Sequence, residues 1–256
     1  MAGWSEFLLA TLAFLLSHAL PARQAPRRWL AARIGERGYL VTYSAVSVAM
    51  LAWLVVAAGR APYVALWDAA AWQRWVPNLA MPMACLLIGF SAGAPNPLSF
   101  GGRSAGFDPE QPGIAGVARH PVLLAIALWA AAHAVPNGDL AHVLLFGAFT
   151  AFALLGMRLI DRRKRRQMGE RTWRRLAART SAWPLAALLD GRWRPRALVN
   201  PWRLGLSLLL WWVLLTLHAP VIGVTPLPVE ADRPLTQAQM DDWLCKRGVR
   251  WPAAES

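Results

Sequence analysis

The chain has 256 residues, 56% hydrophobic and only 16% charged, with a mean hydropathy of +0.33. A soluble domain of this length cannot hide so much apolar surface, so the surplus must face lipid. The formal net charge of +13 would suit a nucleic-acid binder, but the basic residues lie between apolar blocks, where retention of basic loops in the cytoplasm accounts for them and excludes nucleic acid as the partner.

Crossing a hydrocarbon core of roughly 30 Å takes about 20 apolar residues, and segments near that length predict an all-α, polytopic transmembrane helical bundle of about six spans. The first, 4–20, ends at Pro21. It reads as a retained anchor rather than a secretory signal, because Arg23, Arg27 and Arg28 follow it and no Lys or Arg precedes it. The second, 39–58, holds no charged residue, and the third, 76–94, contains Pro82, which removes a backbone donor and predicts a kink. The fourth, 115–136, includes Arg119 and His120 ahead of an uncharged stretch, with Pro121 suited to a first helical position. The fifth covers 140–160 and the sixth 204–221. A transmembrane domain over 1–221 is thus followed by an extramembrane tail, 222–256, with a Pro-rich start.

The connections set the expected orientation. Residues 21–38 contain five arginines and residues 161–200 twelve basic residues, including the run Arg162-Arg163-Lys164-Arg165-Arg166. Residues 59–75 hold only Arg60 and Arg74, and 135–139 none. The positive-inside rule then puts the basic loops in the cytoplasm and both termini outside, in the inner membrane of a bacterium. Trp4, Trp29, Trp67, Trp72, Trp75, Trp173, Trp193 and Trp202 flank the apolar blocks as an interfacial belt. Residues 168–183 interleave Trp173 and Trp183 with arginines, as a helix lying flat on anionic lipid would. Residues 95–113, rich in Gly and Pro, read as a re-entrant segment or a surface cap. Cys85 and Cys245 make neither a disulfide framework nor a zinc site.

The spans carry no central Asp or Glu, which argues against a proton-coupled transporter; Glu6, Asp139 and Asp161 sit at the membrane edges. All five histidines, His18, His120, His133, His142 and His218, lie in or at the end of a span. Histidine there serves as a haem ligand, a proton-transfer group or a hydrogen-bonding residue between helices. The sharpest motif is Arg119-His120-Pro121, followed by Trp129, His133 and Asn137-Gly138-Asp139; a capped helix start accounts for Arg119 and Pro121.

These residues also carry a resemblance over nearly the whole chain. Ser17-His18, Gly35-Glu36 with Tyr39, the stretch from Gly113 to Asp139, the basic run, the stretch from Gly169 to Trp193, and the ending from His218 resemble the NnrU family of integral membrane proteins. That resemblance implies an association with denitrification: formation of active nitrite and nitric oxide reductases, or response to nitrogen oxides, with the reductases or their maturation factors as partners. A more distant resemblance, to plant zeta-carotene isomerase, implies haem b between two histidines, matching His18 and His133, while His120 matches the neighbouring motif without being a ligand. An isomerase-like activity would follow only with haem bound. The RHP element is also similar to that of isoprenylcysteine methyltransferases, a shorter match. Without haem, the expected role is a non-catalytic assembly protein. Depth leaves the couple open, because His133 lies twelve residues past Pro121, about 18 Å at 1.5 Å per residue. By depth, His133 with His218, or His18 with His120, are the other couples.

Overall fold

The computed structural model describes residues 2–19, 24–196 and 200–228 and is all-α. Among the described residues the only β feature is an isolated bridge between Ala65 and Asp139. In chain order the helices are α1 (Ala2–Ala19), α2 (Gln24–Arg60), α3 (Trp75–Ser91), α4 (Ile114–Val117), α5 (Pro121–Ala134), α6 (Leu140–Met168), α7 (Glu170–Ala177), α8 (Ala186–Leu189) and α9 (Pro201–Ile222). Three helices, α2 from Pro26, α6 and α9, are long and apolar enough to cross a membrane, and α5 is a shorter apolar helix. Leu8, Leu9, Leu12 and Leu16 of α1, and Leu208, Leu209, Trp212 and Leu217 of α9, stand exposed. Apolar surface on this scale identifies a membrane protein whose outer faces meet lipid tails.

Small and aromatic residues fill the inside. Phe7, Ala10 and Phe14 of α1 meet Leu54, Ala57 and Ala58 of α2, Ala130 of α5, and Leu145, Phe146 and Phe149 of α6. A second cluster joins Ala84 and Leu87 of α3 to Leu124 and Ala125 of α5 and Met157 of α6. Alanine at such contacts lets backbones approach where no hydrophobic force draws helices together in lipid. α9 packs on α3, and Gly89 makes that crossing possible: a Cβ there would overlap the Ser207 hydroxyl.

Several expectations are corrected. The connection expected over 21–38 is helical from Gln24, with one non-helical residue, Gly35 (φ 75°), inside α2. The basic run after residue 160 continues α6 to Met168. In both places arginine interrupts the hydropathy without interrupting the helix, because arginine and lysine are good helix formers and a positive charge suits a helix C-terminus. The segment expected as one span over 115–136 is two helices, broken at Ala118–His120, with Pro121 opening α5 as expected. α3 carries Pro82 inside it, as the third span was expected to.

The stretch 168–183 does not lie flat with its apolar side on lipid. Trp173 and Ala177 are buried with Leu98, and Phe107, Met168 and Leu176 pack around them. Trp173 and Trp193 therefore leave the interfacial belt; Trp193, 1% exposed, lies where any Cβ on Gly116 would strike its ring. Residues 95–113 form a cap over the start of α5, tied by Asn96 Nδ2 donating to the Arg119 carbonyl (2.9 Å). Most of the expected tail, residues 229–256, lies outside the described residues.

The long helices alternate in direction, so the bundle has two unlike ends. One gathers the end of α1, the start of α5, the basic end of α6 and the cap. The far end gathers the start of α1, the ends of α2, α5 and α9, and the start of α6, where Arg60 pairs with Glu6 (3.3 Å).

Candidate functional site

At the basic end, the break before α5 delivers two adjacent residues inward. Arg119 and His120 are both buried, and both meet one carboxylate of α6: Arg119 Nη1 donates to Asp161 Oδ2 (2.6 Å), and His120 Nε2 lies 3.1 Å from Asp161 Oδ1. Arg119 also donates through Nε to Thr180 Oγ1 (2.9 Å), and its guanidinium lies over the Trp173 ring at 4.8 Å, with Arg165 over the same ring at 3.9 Å. Burying a cation in this way is tolerable only because a counter-charge and further acceptors surround it. His120 Nδ1 meets the Ser99 hydroxyl at 3.1 Å. The cap, α5, α6 and the segment after α7 are therefore joined through one polar cluster.

The far end collects the other chemistry. His133, on the last turn of α5, and His218, near the end of α9, face each other with ring centroids 6.4 Å apart and planes inclined by 25°. His133 Nδ1 lies 2.7 Å from the Trp129 carbonyl, and His218 Nδ1 lies 2.7 Å from the Val224 carbonyl. A carbonyl only accepts, so each Nδ1 carries a proton, which in the neutral ring leaves the lone pair on Nε2. Trp129 and Phe146 rings lie 5.6 and 5.7 Å from the His133 ring. His142 is turned instead to Asp139, the α6 N-cap, whose Oδ2 lies 2.7 Å from His142 Nδ1.

His18 occupies a third place. Its Nδ1 donates to the Phe14 carbonyl (2.8 Å), and its ring lies 6.1 and 6.2 Å from Tyr43 and Phe152. Between it and His133 runs a chain of rings, Phe14 to Phe149 (5.4 Å) and Phe149 to Trp129 (5.7 Å). The structure thus brings His133 to His218, and His120 to Asp161 and Ser99, whereas His18 keeps its own aromatic surroundings. Among the described residues no three His, Cys, Asp or Glu side chains gather as a metal site.

His133 and His218 are the residues at the far end that would hold an iron centre, since each is an imidazole whose Nδ1 meets a carbonyl. An Nδ1–H bonded to a carbonyl is the usual arrangement that orients a ligating imidazole and raises its basicity.

Sequence reasoning placed Asp161 at a membrane edge and gave it no task; Ser99, Asn96 and Thr180 drew no attention at all. One signal was present: Asp161 is the single acid heading the run Arg162–Arg166, and a lone carboxylate there calls for a cationic partner.

Comparison with protein families matches residues 6–226 to the NnrU protein model. No curated protein and no solved structure matches the chain. The match runs from α1 through α9 and takes in both polar clusters, so this membrane protein belongs to the NnrU family.

Proposed function

We propose that the protein holds haem b among its helices, with His133 as one axial ligand, and serves denitrification by supporting the formation of active nitrite and nitric oxide reductases or by responding to nitrogen oxides. The observation carrying this reading is the His133–His218 pair: two imidazoles from different helices with ring centroids 6.4 Å apart, each with Nδ1 at a carbonyl. The second ligand is His218 by this geometry and His18 by the resemblance to zeta-carotene isomerase. Haem supplies electron transfer or recognition of small nitrogen oxides, with axial ligands and surrounding polarity setting which. The chain's own contribution is to fix the imidazole tautomers and to keep water from the site with Trp129 and Phe146. The reductases, or factors that mature them, are its partners, and the inner membrane with basic loops in the cytoplasm is its place.

The test is the visible spectrum of protein purified in detergent from haem-replete cells. A Soret band is expected, abolished by His133→Ala. Loss in His218→Ala with retention in His18→Ala assigns the far-end pair, and the reverse assigns His18. A colourless wild-type preparation refutes the haem reading.

A further inference from the structure

A second chemistry is laid out at the basic end, independent of the haem reading. Ser99 lines a cavity of about 210 Å³ whose wall also includes Asn96, Gly102, Arg103, Pro121 and Val122. Behind Ser99 stands His120, 1% exposed, and behind His120 stands Asp161. Asp161 is paired with Arg119 at 2.6 Å and so is ionised and only accepts; the imidazole therefore donates from Nε2 to Asp161 Oδ1. In the neutral imidazole that leaves the lone pair on Nδ1, which faces the Ser99 hydroxyl across 3.1 Å. A cavity, a hydroxyl on its wall, an imidazole beside that hydroxyl and a half-buried carboxylate holding the other ring nitrogen are the parts of an activated serine nucleophile. The imidazole is turned end for end relative to the usual serine hydrolase, with Nδ1 as the base, which changes nothing in the proton balance.

We propose that Ser99 and His120 form a catalytic pair, positioned by Asp161 and Arg119, that cleaves a lipid-type acyl ester. The Ser99 oxygen adds to the ester carbonyl as its proton moves to His120 Nδ1. The bond from the acyl carbon to the alcohol oxygen breaks, and that oxygen leaves with the proton, giving acyl-Ser99 and free alcohol. Water, losing a proton to the same nitrogen, then attacks the acyl-serine; the carboxylic acid departs and Ser99 recovers its proton. The amides of Phe100 and Gly101, next in the chain, find no acceptor among the described residues and are available to the developing oxyanion. The substrate class follows from the surroundings. Phe100 and Val122, 77% and 41% exposed, offer an apolar rim to an acyl chain. Arg103, which spends one N–H on the Gly93 carbonyl (3.1 Å), offers the rest to an anionic head.

Full-length protein in detergent is treated with a fluorophosphonate probe, which phosphonylates activated serines, and the adduct is located by peptide mass spectrometry. Labelling is expected at Ser99, lost in Ser99→Ala, and slowed at least about a hundredfold in His120→Gln. Because His120 is buried, Ser99→Ala, which removes a single hydroxyl at the cavity wall, is the deciding variant, with its fold checked by thermal melting. With a p-nitrophenyl acyl ester, Asp161→Asn is expected to lower kcat with KM unchanged, and Asp161→Glu to recover part of the loss. Folded wild type that takes no probe at Ser99, labels equally after Ser99→Ala, or hydrolyses the ester no faster than Ser99→Ala overturns the proposal. The haem spectrum is read separately, and its outcome does not enter this test.

Discussion

Asp161→Ala is the sharpest stability test of the basic-end cluster. The Asp161 and Arg119 side chains are 13% and 10% exposed, and the His120 side chain is 0% exposed. Without the carboxylate, Arg119 keeps the Thr180 contacts but no counter-charge. Breaking a buried pair by removing one partner costs about 3–5 kcal/mol. At about 2–4 °C per kcal/mol for a chain of this size, the detergent melting temperature should fall by about 6–20 °C. Glu36→Ala is the control, because the Arg27–Glu36 pair is 48% and 65% exposed and such pairs contribute about 0–1 kcal/mol. The double variant Arg119→Met/Asp161→Leu should recover much of the loss, since charge and counter-charge leave together. Equal melting temperatures for Asp161→Ala and Glu36→Ala would mean that the cluster is solvated, and the reasoning fails.

Trp173→Ala should lose about 3–5 kcal/mol from core packing, read as a lower melting temperature; a helix lying on lipid would instead lose affinity for anionic vesicles and keep its stability. Gly89→Val should push α9 from α3 and cost about 1–3 kcal/mol, with α9 becoming accessible to limited proteolysis; an unchanged digestion pattern would contradict the close crossing. Asp139→Ala should remove the α6 cap at about 1 kcal/mol and leave any Soret band in place, because His142, its partner, is not one of the proposed ligands; loss of the band would bring His142 into the site.

The membrane class was legible because hydropathy is local: an uncharged stretch such as 39–58 declares itself without reference to any other part of the chain. The helix ends were not, where arginine marks the edge of the apolar run but not the edge of the helix, as after Ile160. Pro121 was read correctly as a helix start because its constraint on its own backbone is also local. What Arg119 and His120 do was not legible, since their partners are Asp161, Thr180 and Ser99, residues brought close only by the packing of α5 on α6 and of the cap on both. His133 with His218 was within reach as one of three couples, because depth in a helix can be counted at about 1.5 Å per residue; the rotation that turns the two rings toward each other cannot be counted that way. At the basic end two of the charges are paired, Arg119 with Asp161 and Arg174 with Glu170 at 2.7 Å. At the far end His133 and His218 each present Nδ1 to a carbonyl, and Trp129 and Phe146 stand beside His133. If haem is held there as proposed, it should raise the melting temperature of the wild type but not of His133→Ala.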